Sequence, residues 1–435
     1  MKRLLMIYGM LVLALTVCAQ KPQQDIKKNL RLSGGSFLAY PGPKQHKLTS
    51  APENKKPFYI SHFGRHGSRY PTKTDDFTYV IETLQNSEDA HALTPLGSDV
   101  LQRVKMMEQE AYNRAGELTS LGAQQQQEIT ERMIRRFPTV FEGNVTIEAK
   151  STTSIRAILS MTNALLRLQA LNPKLKIKLD ASQADMDYLR HNDKLLNTKS
   201  LSDENVAVYN AFVDKHSPWQ RAIGQLYADT AYLNHNVDGF KLNKYLFRLA
   251  SVVQDMDIRK KITLYDLFTD EEIYENWRKD NAFWYLGFGF APTNGGKMPY
   301  GQRFLLRNII EKADSCLRLD HPGATLRFGH DTALLPLICL MGINGYDLST
   351  NDLDQMERQG WANYKMIPMA GNLQFVFYRN GIHDKDILVK VLLNENEATL
   401  PLKTDIAPYY HWEDFRNYYL QRINAYNEEC ALEEE

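Results

Sequence analysis

One stretch of this chain sets an imidazole between two guanidinium groups, and these residues could bind and attack a phosphate ester. The stretch is Arg65-His66-Gly67-Ser68-Arg69-Tyr70-Pro71. A phosphate monoester is a dianion, so a site that reacts with it needs fixed cations, and arginine stays charged at any working pH. The site also needs a nucleophile that is neutral until it attacks, which a neutral histidine provides. The stretch therefore predicts phosphoryl chemistry.

Two plainer interpretations of this stretch compete with that one. It could be an ordinary basic loop, but the five fixed positions of R-H-G-x-R-x-P rarely occur together by chance. It could also hold a metal, because His62 and His66 have the spacing of two ligands on a helix. Gly64 and Gly67 argue against a helix there, and the chain has no H-E-x-x-H or paired C-x-x-C motif. We predict no metal and no other cofactor.

Two further groups of polar residues follow strand-like runs. The alternating run 145–149 is followed by Ser151-Thr152-Thr153-Ser154, whose hydroxyls suit a helix cap, so Arg156 lies in the first turn of a predicted helix. The run 324–329 leads into His330 and Asp331. Anions bind outside the carboxyl ends of strands and beside helix N-termini. If the strands at 58–63, 145–149 and 324–329 share a sheet, these side chains converge.

The elements that position these residues predict an α/β fold. We expect a central, mostly parallel sheet flanked by helices, ending in a strand pair at 373–378 and 387–393 joined through Asn380-Gly381. Residues 161–300 show helical patterns without a clear strand, so we predict an inserted, mainly helical cap domain there. The α/β core then comprises residues 20–160 and 301–435. Within it, residues 20–56 show little periodicity and are predicted to form an extended lead-in.

The overall charge of the chain excludes some classes of partner. The 435 residues include 52 Lys plus Arg and 52 Asp plus Glu, so no global field favours nucleic acid or an anionic membrane. Any preference for anions must be local. We expect a small phosphorylated molecule as the partner and a monomer as the state of the protein.

The first 19 residues have the composition of a signal peptide. Lys2 and Arg3 precede an apolar run that is too short for a comfortable membrane span, and residues 17–19 suit cleavage after Ala19. We therefore predict a periplasmic or secreted protein. An alternative makes Cys18 the lipidated first residue of a lipoprotein. After cleavage three cysteines remain, at 316, 339 and 430, which permit one disulfide at most.

The order of these motifs resembles that of the histidine phosphatase superfamily, in the branch of acid phosphatases and phytases. The shared motifs are R-H-G-x-R-x-P at 65–71, L-T-x-x-G at 118–122, the stretch 151–156 and the late His330-Asp331. Residues 328–330, 334–337, 340–342, 267–270 and 283–289 further resemble the multiple inositol polyphosphate phosphatases. That subfamily usually has His-Ala-Glu, whereas this chain has His330-Asp331-Thr332, as in the wider acid phosphatase and phytase group.

The resemblance implies a role for each of the motif residues. His66 would attack phosphorus and become a phosphohistidine, and Asp331 would protonate the leaving oxygen. The phosphoryl oxygens would be held by Arg65, Arg69, Arg156 and His330. The structural alternative makes His330 a buried, hydrogen-bonded histidine and Asp331 a helix cap.

Three more residues are candidates for substrate binding. Thr72 and Lys73 continue the loop as P-T-K, which in phytases contacts additional phosphates, and Arg190 weakly resembles a subfamily pattern in the cap. Each could instead be a solvated surface residue. The resemblance as a whole implies an exported phosphomonoesterase for inositol polyphosphates such as phytate. The alternatives are a broader acid phosphatase that acts on sugar phosphates and, in another class, a non-catalytic phospholigand-binding protein.

Overall fold

The computed structural model describes residues 22–433, and it describes side chains for residues 22–427. The predicted signal peptide, its cleavage site and Cys18 lie outside the described residues, as does the side chain of Cys430. Cys316 and Cys339 are buried free thiols.

The described residues form one eight-stranded sheet with the spatial order β3-β2-β4-β1-β5-β6-β7, in which β8 also pairs with β6. In chain order the strands are β1 (Lys56–Arg65), β2 (Thr146–Ser151), β3 (Lys176–Asp180), β4 (Gly323–Gly329), β5 (Asn372–Arg379), β6 (Leu388–Leu393), β7 (Asn396–Glu397) and β8 (Tyr409–His411).

The sheet has a parallel half and an antiparallel half that meet at β1. Strands β3, β2, β4 and β1 pair in parallel, whereas β5 pairs antiparallel with both β1 and β6. The register places Arg65 opposite Gly329 and Ser151 opposite Phe328, so β1, β4 and β2 end at the same edge. The predicted α/β fold, the convergence of the three strands and the final strand pair are confirmed.

Helices surround this sheet and connect its strands. In chain order the α-helices are α1 (Pro22–Lys28), α2 (Asp75–Asp89), α3 (Pro95–Ala111), α4 (Ser120–Arg136), α5 (Ile155–Leu171), α6 (Met186–Leu189), α7 (Lys194–Ser200), α8 (Asp203–Lys215), α9 (Gln220–Gly224), α10 (Thr230–Asn236), α11 (Gly239–Val252), α12 (Asp270–Phe288), α13 (Arg303–Cys316), α14 (Asp331–Leu340), α15 (Leu353–Arg358), α16 (Asn363–Met366) and α17 (Trp412–Glu433).

The side chains of β1 alternate between two apolar layers, as a strand buried on both faces requires. Tyr59 and Phe63 pack in the layer that contains α13 and α14, and Ile60 packs in the layer that contains α5. A third apolar cluster joins α2 and α3 to the segment 222–277. The loop after β1 therefore begins from the buried end of this strand.

Two expectations from the sequence were wrong. Lys176–Asp180 is a strand at the sheet edge, within the segment predicted as mainly helical and without a clear strand. Its signal was available and was overlooked, since Ile177 and Leu179 alternate with Lys176, Lys178 and Asp180. The lead-in is not extended: it contains α1 and a 3₁₀ helix at Leu30–Phe37, with Ile26 and Leu38 buried. Its few apolar residues pack on α11 and α12 without forming a recognisable period. The division into core and cap stays a prediction.

In the described part of the chain no helix is both long and apolar enough to cross a membrane. Over the same residues, no group of three or more His, Cys, Asp or Glu side chains is arranged to hold a metal ion.

Candidate active site

Six predicted site residues come together at the shared edge of β1, β4 and β2. Arg65 ends β1, and its Nη2 lies 2.5 Å from Oδ2 of Asp331, the first residue of α14. The rings of His66 and His330 lie edge to face with their centroids 5.5 Å apart. The charges of Arg69 and Arg156 act on the imidazole of His66. The full set is Arg65, His66, Arg69, Arg156, His330 and Asp331.

The ring of His66 is held in one tautomer. Its Nδ1 lies 2.9 Å from the carbonyl oxygen of Gly67, which can only accept a hydrogen bond, so Nδ1 carries the proton and donates it. The backbone amide of His66 donates to the carbonyl of Gly329, and its carbonyl accepts from the amide of Ala370. Consequently Nε2 keeps its lone pair, in a ring whose backbone is fixed on both sides.

Both histidines of the site are held neutral. Burial, together with Arg65, Arg69, His330 and Arg156, puts the pKa of His66 well below its ordinary value. Burial and Arg156 lower the pKa of His330 to about 4. The charged imidazolium is disfavoured because it would be desolvated beside several fixed positive charges. At neutral pH the site therefore offers a free imidazole as a nucleophile.

Each arginine of the site has a buried nitrogen atom without a hydrogen-bond partner among the described residues. Arg65 is 0% exposed, and its Nη1 donates to the carbonyls of Ser36 and Ile367. Yet the Nε atoms of Arg65, Arg69 and Arg156 have no hydrogen-bond partner among the described residues. Burial and the neighbouring arginines lower the pKa of Arg69 to about 10. Buried donors without partners are costly, so this cluster is suited to an anion that would accept from them.

The ion pair between Asp331 and Arg65 lacks the alignment of a hydrogen bond. Oδ2 of Asp331 is close to Arg65 without hydrogen-bond alignment, and its Oδ1 accepts from the amide of Thr332. Burial raises the pKa of Asp331, but Arg65 and Arg69 more than offset this and leave the pKa below its ordinary value. A bound phosphate dianion would occupy the same arginines, and the pKa of Asp331 would then rise.

His330 contacts a residue from the second converging strand end. Its Nε2 lies 3.0 Å from Oγ1 of Thr152, which follows β2, and the amide of Thr152 donates to the carbonyl of Phe328. His330 is thus buried and hydrogen-bonded, as the structural alternative also expects. Asp331 differs from that alternative in position, because it is the first residue of α14 and His330, which makes no side-chain cap, occupies the N-cap.

The L-T-x-x-G motif supports the catalytic loop from below. The amide of Thr119 donates to the carbonyl of Ser68, and the hydroxyl of Thr119 caps α4 by accepting from the amide of Gly122. A Cβ atom on Gly67 would lie 2.3 Å from the carbonyl oxygen of Gly122, and one on Gly122 would lie 2.2 Å from that of Ser68. Glycine is required at both positions because the two backbones touch.

The three predicted substrate-binding residues lie around this centre and differ in their surroundings. Arg190 is the C-cap residue that follows α6, and its charge acts on Arg156 and on His330, so it faces the site. Thr72 and Lys73 are exposed on the loop beyond Pro71, and the charge of Lys73 acts on Asp76 at the start of α2. All three stay predictions as ligands.

The lead-in supplies one wall of the site, which the residue patterns did not predict. The ring of Phe37 lies 5.5 Å from the guanidinium carbon of Arg69 and 5.8 Å from that of Arg248. Gly35 has a φ of +55° and leaves room for Asp280, whose charge acts on Arg65. The Gly34-Gly35 pair was the available signal, since it marks a close backbone approach.

Comparison with known proteins agrees with this geometry. The family model of the histidine phosphatase superfamily (branch 2) matches residues 63–394. Human multiple inositol polyphosphate phosphatase 1 is 25% identical over 345 residues, which is 73% of this chain and 69% of the human one.

Two solved structures share the fold. A multiple inositol polyphosphate phosphatase of Bifidobacterium longum, in complex with inositol hexasulfate, superimposes with a TM-score of 0.74 and 15% identity, over 88% of this chain and 96% of that one. A phytase from D. castellii gives a TM-score of 0.67 with 16% identity, over 91% of this chain and 85% of that one. This chain belongs to the histidine phosphatase superfamily, branch 2, and is a phosphoric monoester hydrolase; the resemblance inferred from its motifs is confirmed.

Proposed function

We propose that this histidine phosphatase hydrolyses inositol polyphosphates such as phytate through a phosphohistidine intermediate. The observation that carries the proposal is the convergence of three arginines, each with a buried Nε that has no partner among the described residues, around the free Nε2 of His66. Such a site binds a compact dianion and presents a nucleophile to it.

In the first step, Nε2 of His66 bonds to phosphorus while the bond from phosphorus to the ester oxygen breaks. Arg65, Arg69, Arg156 and His330 hold the phosphoryl oxygens, over which the charge of a loose transition state spreads. Asp331 gives its proton to the departing oxygen, because an inositol alkoxide is a poor leaving group.

In the second step, water replaces the imidazole at phosphorus. Asp331, now ionised, takes a proton from the water, the bond from Nε2 to phosphorus breaks, and inorganic phosphate leaves. Asp331 enters the cycle protonated once the bound dianion has taken up the arginine charge that otherwise lowers its pKa. A mildly acidic medium favours this protonated form, so we expect activity to fall as the pH rises.

Cationic side chains that lie outside the six residues of the active site favour a substrate with several phosphates. Arg190 faces Arg156 and His330, Arg248 shares the Phe37 ring with Arg69, and Lys73 is exposed on the adjoining loop. A substrate with one phosphate cannot use them, whereas phosphates elsewhere on an inositol ring can. The human and bifidobacterial relatives are named for inositol polyphosphates, and the bifidobacterial structure contains inositol hexasulfate.

A broader acid phosphatase is the second candidate, and one observation favours it. The chain carries His330-Asp331-Thr332 where the inositol polyphosphate subfamily usually has His-Ala-Glu. Export is proposed for either candidate, on the composition of residues 1–19.

The two candidates are separated by comparing kcat/KM for phytate, glucose 1-phosphate and nitrophenyl phosphate. We expect phytate to exceed glucose 1-phosphate by about tenfold for each additional charged contact. Arg190→Ala should lower kcat/KM for phytate selectively, whereas Lys105→Ala, a cationic control on α3 that is hydrogen-bonded to Gln85, should not. Equal values for all three esters would support the broader phosphatase, and no phosphate release from any would contradict both.

A further inference from the structure

A second carboxyl group lies beneath the catalytic loop and has no place in the reaction described above. Asp255 ends the 3₁₀ helix Val253–Asp255, and both it and Ser68 are 0% exposed. The hydroxyl of Ser68 donates to Oδ1 of Asp255 over 2.5 Å. Because Ser68 stands between Gly67 and Arg69, this contact ties the R-H-G-x-R loop directly to the helical cluster below it.

The other carboxylate oxygen of Asp255 is buried, and no hydrogen bond from the described residues offsets its loss of water. Its Oδ2 has no hydrogen-bond partner among the described residues. The positive groups that face it are Arg65 from β1, Arg69 from the loop and Arg259 from the 3₁₀ helix at 257–260. The Tyr265 hydroxyl, from the 3₁₀ helix at 265–267, also faces it. Arg259 itself is engaged elsewhere, since it pairs with Asp257 and donates to the carbonyl of Met256.

Asp255 acts on the same two arginines that the substrate needs. Its charge is felt by both Arg65 and Arg69. Burial raises the pKa of Asp255 to about 7, although the Ser68 hydrogen bond and the arginines oppose this. In mildly acidic solution the group is therefore neutral and leaves the arginines free for an anion, while above neutrality it becomes a competing negative charge.

We infer that Asp255 is a positioning residue which holds the catalytic loop through Ser68 and, when it ionises, weakens the binding of a phosphate dianion. This inference rests on the proposed function, because it assumes that Arg65 and Arg69 hold the phosphoryl group. Ionisation of Asp255 would then reduce activity at alkaline pH, independently of the loss of the proton that Asp331 donates.

The contact through Ser68 can be removed without dismantling the loop. The backbone of Ser68 is fixed independently, because its amide donates to Oε1 of Gln125 and its carbonyl accepts from the amide of Thr119. Ser68→Ala therefore deletes one hydrogen bond and leaves this frame in place. Ser68→Thr keeps the hydroxyl and serves as the conservative variant.

The charge effect is tested by the binding of inorganic sulfate, a dianion throughout pH 5.5–8.5 whose own charge stays constant. Dissociation constants would be measured by calorimetry on the full chain, in the wild type and in Asp255→Asn. Wild-type affinity should fall with rising pH by about tenfold more than that of the variant, because ionising a carboxyl that the anion shifts by one pKa unit costs tenfold in affinity. Superimposable pH profiles would overturn the inference.

A matched control is Glu357→Gln, which changes another buried carboxyl with a raised pKa, bonded to the hydroxyl of Tyr274 on α12. Its sulfate profile should follow the wild type; a flattened profile would show that the effect is not specific to Asp255 and would also overturn the inference. The positioning role is tested by kcat: we expect a loss of about tenfold in Ser68→Ala that is restored in Ser68→Thr. Unchanged kcat in Ser68→Ala would remove that role.

If Asp255→Asn does not fold, the wild type still decides the question. The titration of each aspartate would be followed by NMR of its carboxyl carbon. We expect one aspartate to titrate near pH 7, and its pKa to rise by about one unit when sulfate is added. A pKa that sulfate does not move would contradict the inference. Turnover of nitrophenyl phosphate tests the proposed function separately, so an active enzyme with unaltered titrations would refute this inference alone.

Discussion

Two clusters of arginines in this molecule differ in how their positive charges are balanced. Around Glu395, Arg132 donates through Nε and Nη2 to the carboxylate, and Arg136 donates to the backbone carbonyls of Glu395 and Gln45. The hydroxyl of Tyr40 completes the carboxylate's hydrogen bonds. The cluster's central carboxylate is therefore fully engaged.

In the cluster at the end of β1, the positive charges of the arginines are not balanced in this way. Arg65, Arg69 and Arg156 each keep a buried Nε without a partner among the described residues, and the one ion pair with Asp331 is poorly aligned. The comparison shows how to tell a structural cluster from a ligand site. The first satisfies its own charges, while the second keeps an uncompensated positive excess that only an added anion relieves.

The largest expected effect comes from removing the nucleophile of the cation-rich cluster. His66→Ala should reduce phosphate release from every ester by at least about 10⁴-fold, because the covalent route is lost. Single-turnover release measures this, and His62→Gln, four residues earlier on β1, is the matched control that should stay within tenfold of the wild type. Substantial turnover in His66→Ala would remove His66 as the nucleophile.

The comparison between the two arginine clusters is tested by mutating one arginine in each of them. Arg132→Ala should cost about 3–5 kcal/mol in the free energy of unfolding with little change in kcat/KM, because it removes the hydrogen-bonded cation of the buried Glu395 carboxylate and leaves Arg136 4.0 Å away. Arg69→Ala should do the reverse, with a loss of about 10³-fold in kcat/KM and at most about 1 kcal/mol in stability. Denaturant unfolding and steady-state kinetics on both variants give the answer. Equal stability losses would break the distinction.

The loose ion pair of Asp331 predicts an effect that depends on the leaving group. Asp331→Asn should slow the release of phosphate from phytate by about 10²–10³-fold, because the alkoxide then leaves without a proton. Nitrophenyl phosphate scarcely needs that proton and should lose less than about tenfold. Parallel kcat/KM measurements decide this, and equal losses on both esters would remove Asp331 as the acid.

The last prediction concerns stability rather than activity, and a histidine outside the site. Burial and Arg327 lower the pKa of His62 to about 3. Unfolded His62 gains a proton near its ordinary pKa of 6.5, so between pH 6.5 and 3 the unfolded state binds more protons and stability falls as the pH falls. His62→Gln should remove about 1.4 kcal/mol per pH unit from that decline. Denaturant unfolding at pH 7, 6, 5 and 4 measures the slope; parallel curves would contradict the assignment.

Residue patterns predicted the parts of this protein that local chemistry determines. The motif at 65–71, the helix that carries Arg156 and the junction at His330 were all recognisable, because each combines a strand run with residues of special conformation or charge. The hydroxyl cap predicted for the Arg156 helix was wrong, since Ser154 makes no side-chain cap hydrogen bond. Their convergence followed from the rule that parallel strands end at one edge.

What the sequence did not reveal depends on contacts between distant segments. Phe37 belongs to the site only because the lead-in packs across α11 and α12, which no local period announces. Asp255 and Ser68 are 187 positions apart, and neither residue type is unusual in its own neighbourhood. Strand β3 is a different case, because Ile177 and Leu179 alternate with polar residues and the short pattern was present in the sequence but overlooked.

The central claim is that the cation-rich cluster holds a phosphoryl group while Nε2 of His66 forms a bond to it. The most direct test is rapid alkaline quenching of the enzyme during turnover of a phosphorus-labelled ester, followed by peptide mapping. The account predicts acid-labile label on Nε2 of His66, and no label in His66→Ala. Label on another residue of the rapidly turning-over wild-type enzyme would contradict it. So would the absence of labelled protein under conditions that trap an authentic phosphohistidine.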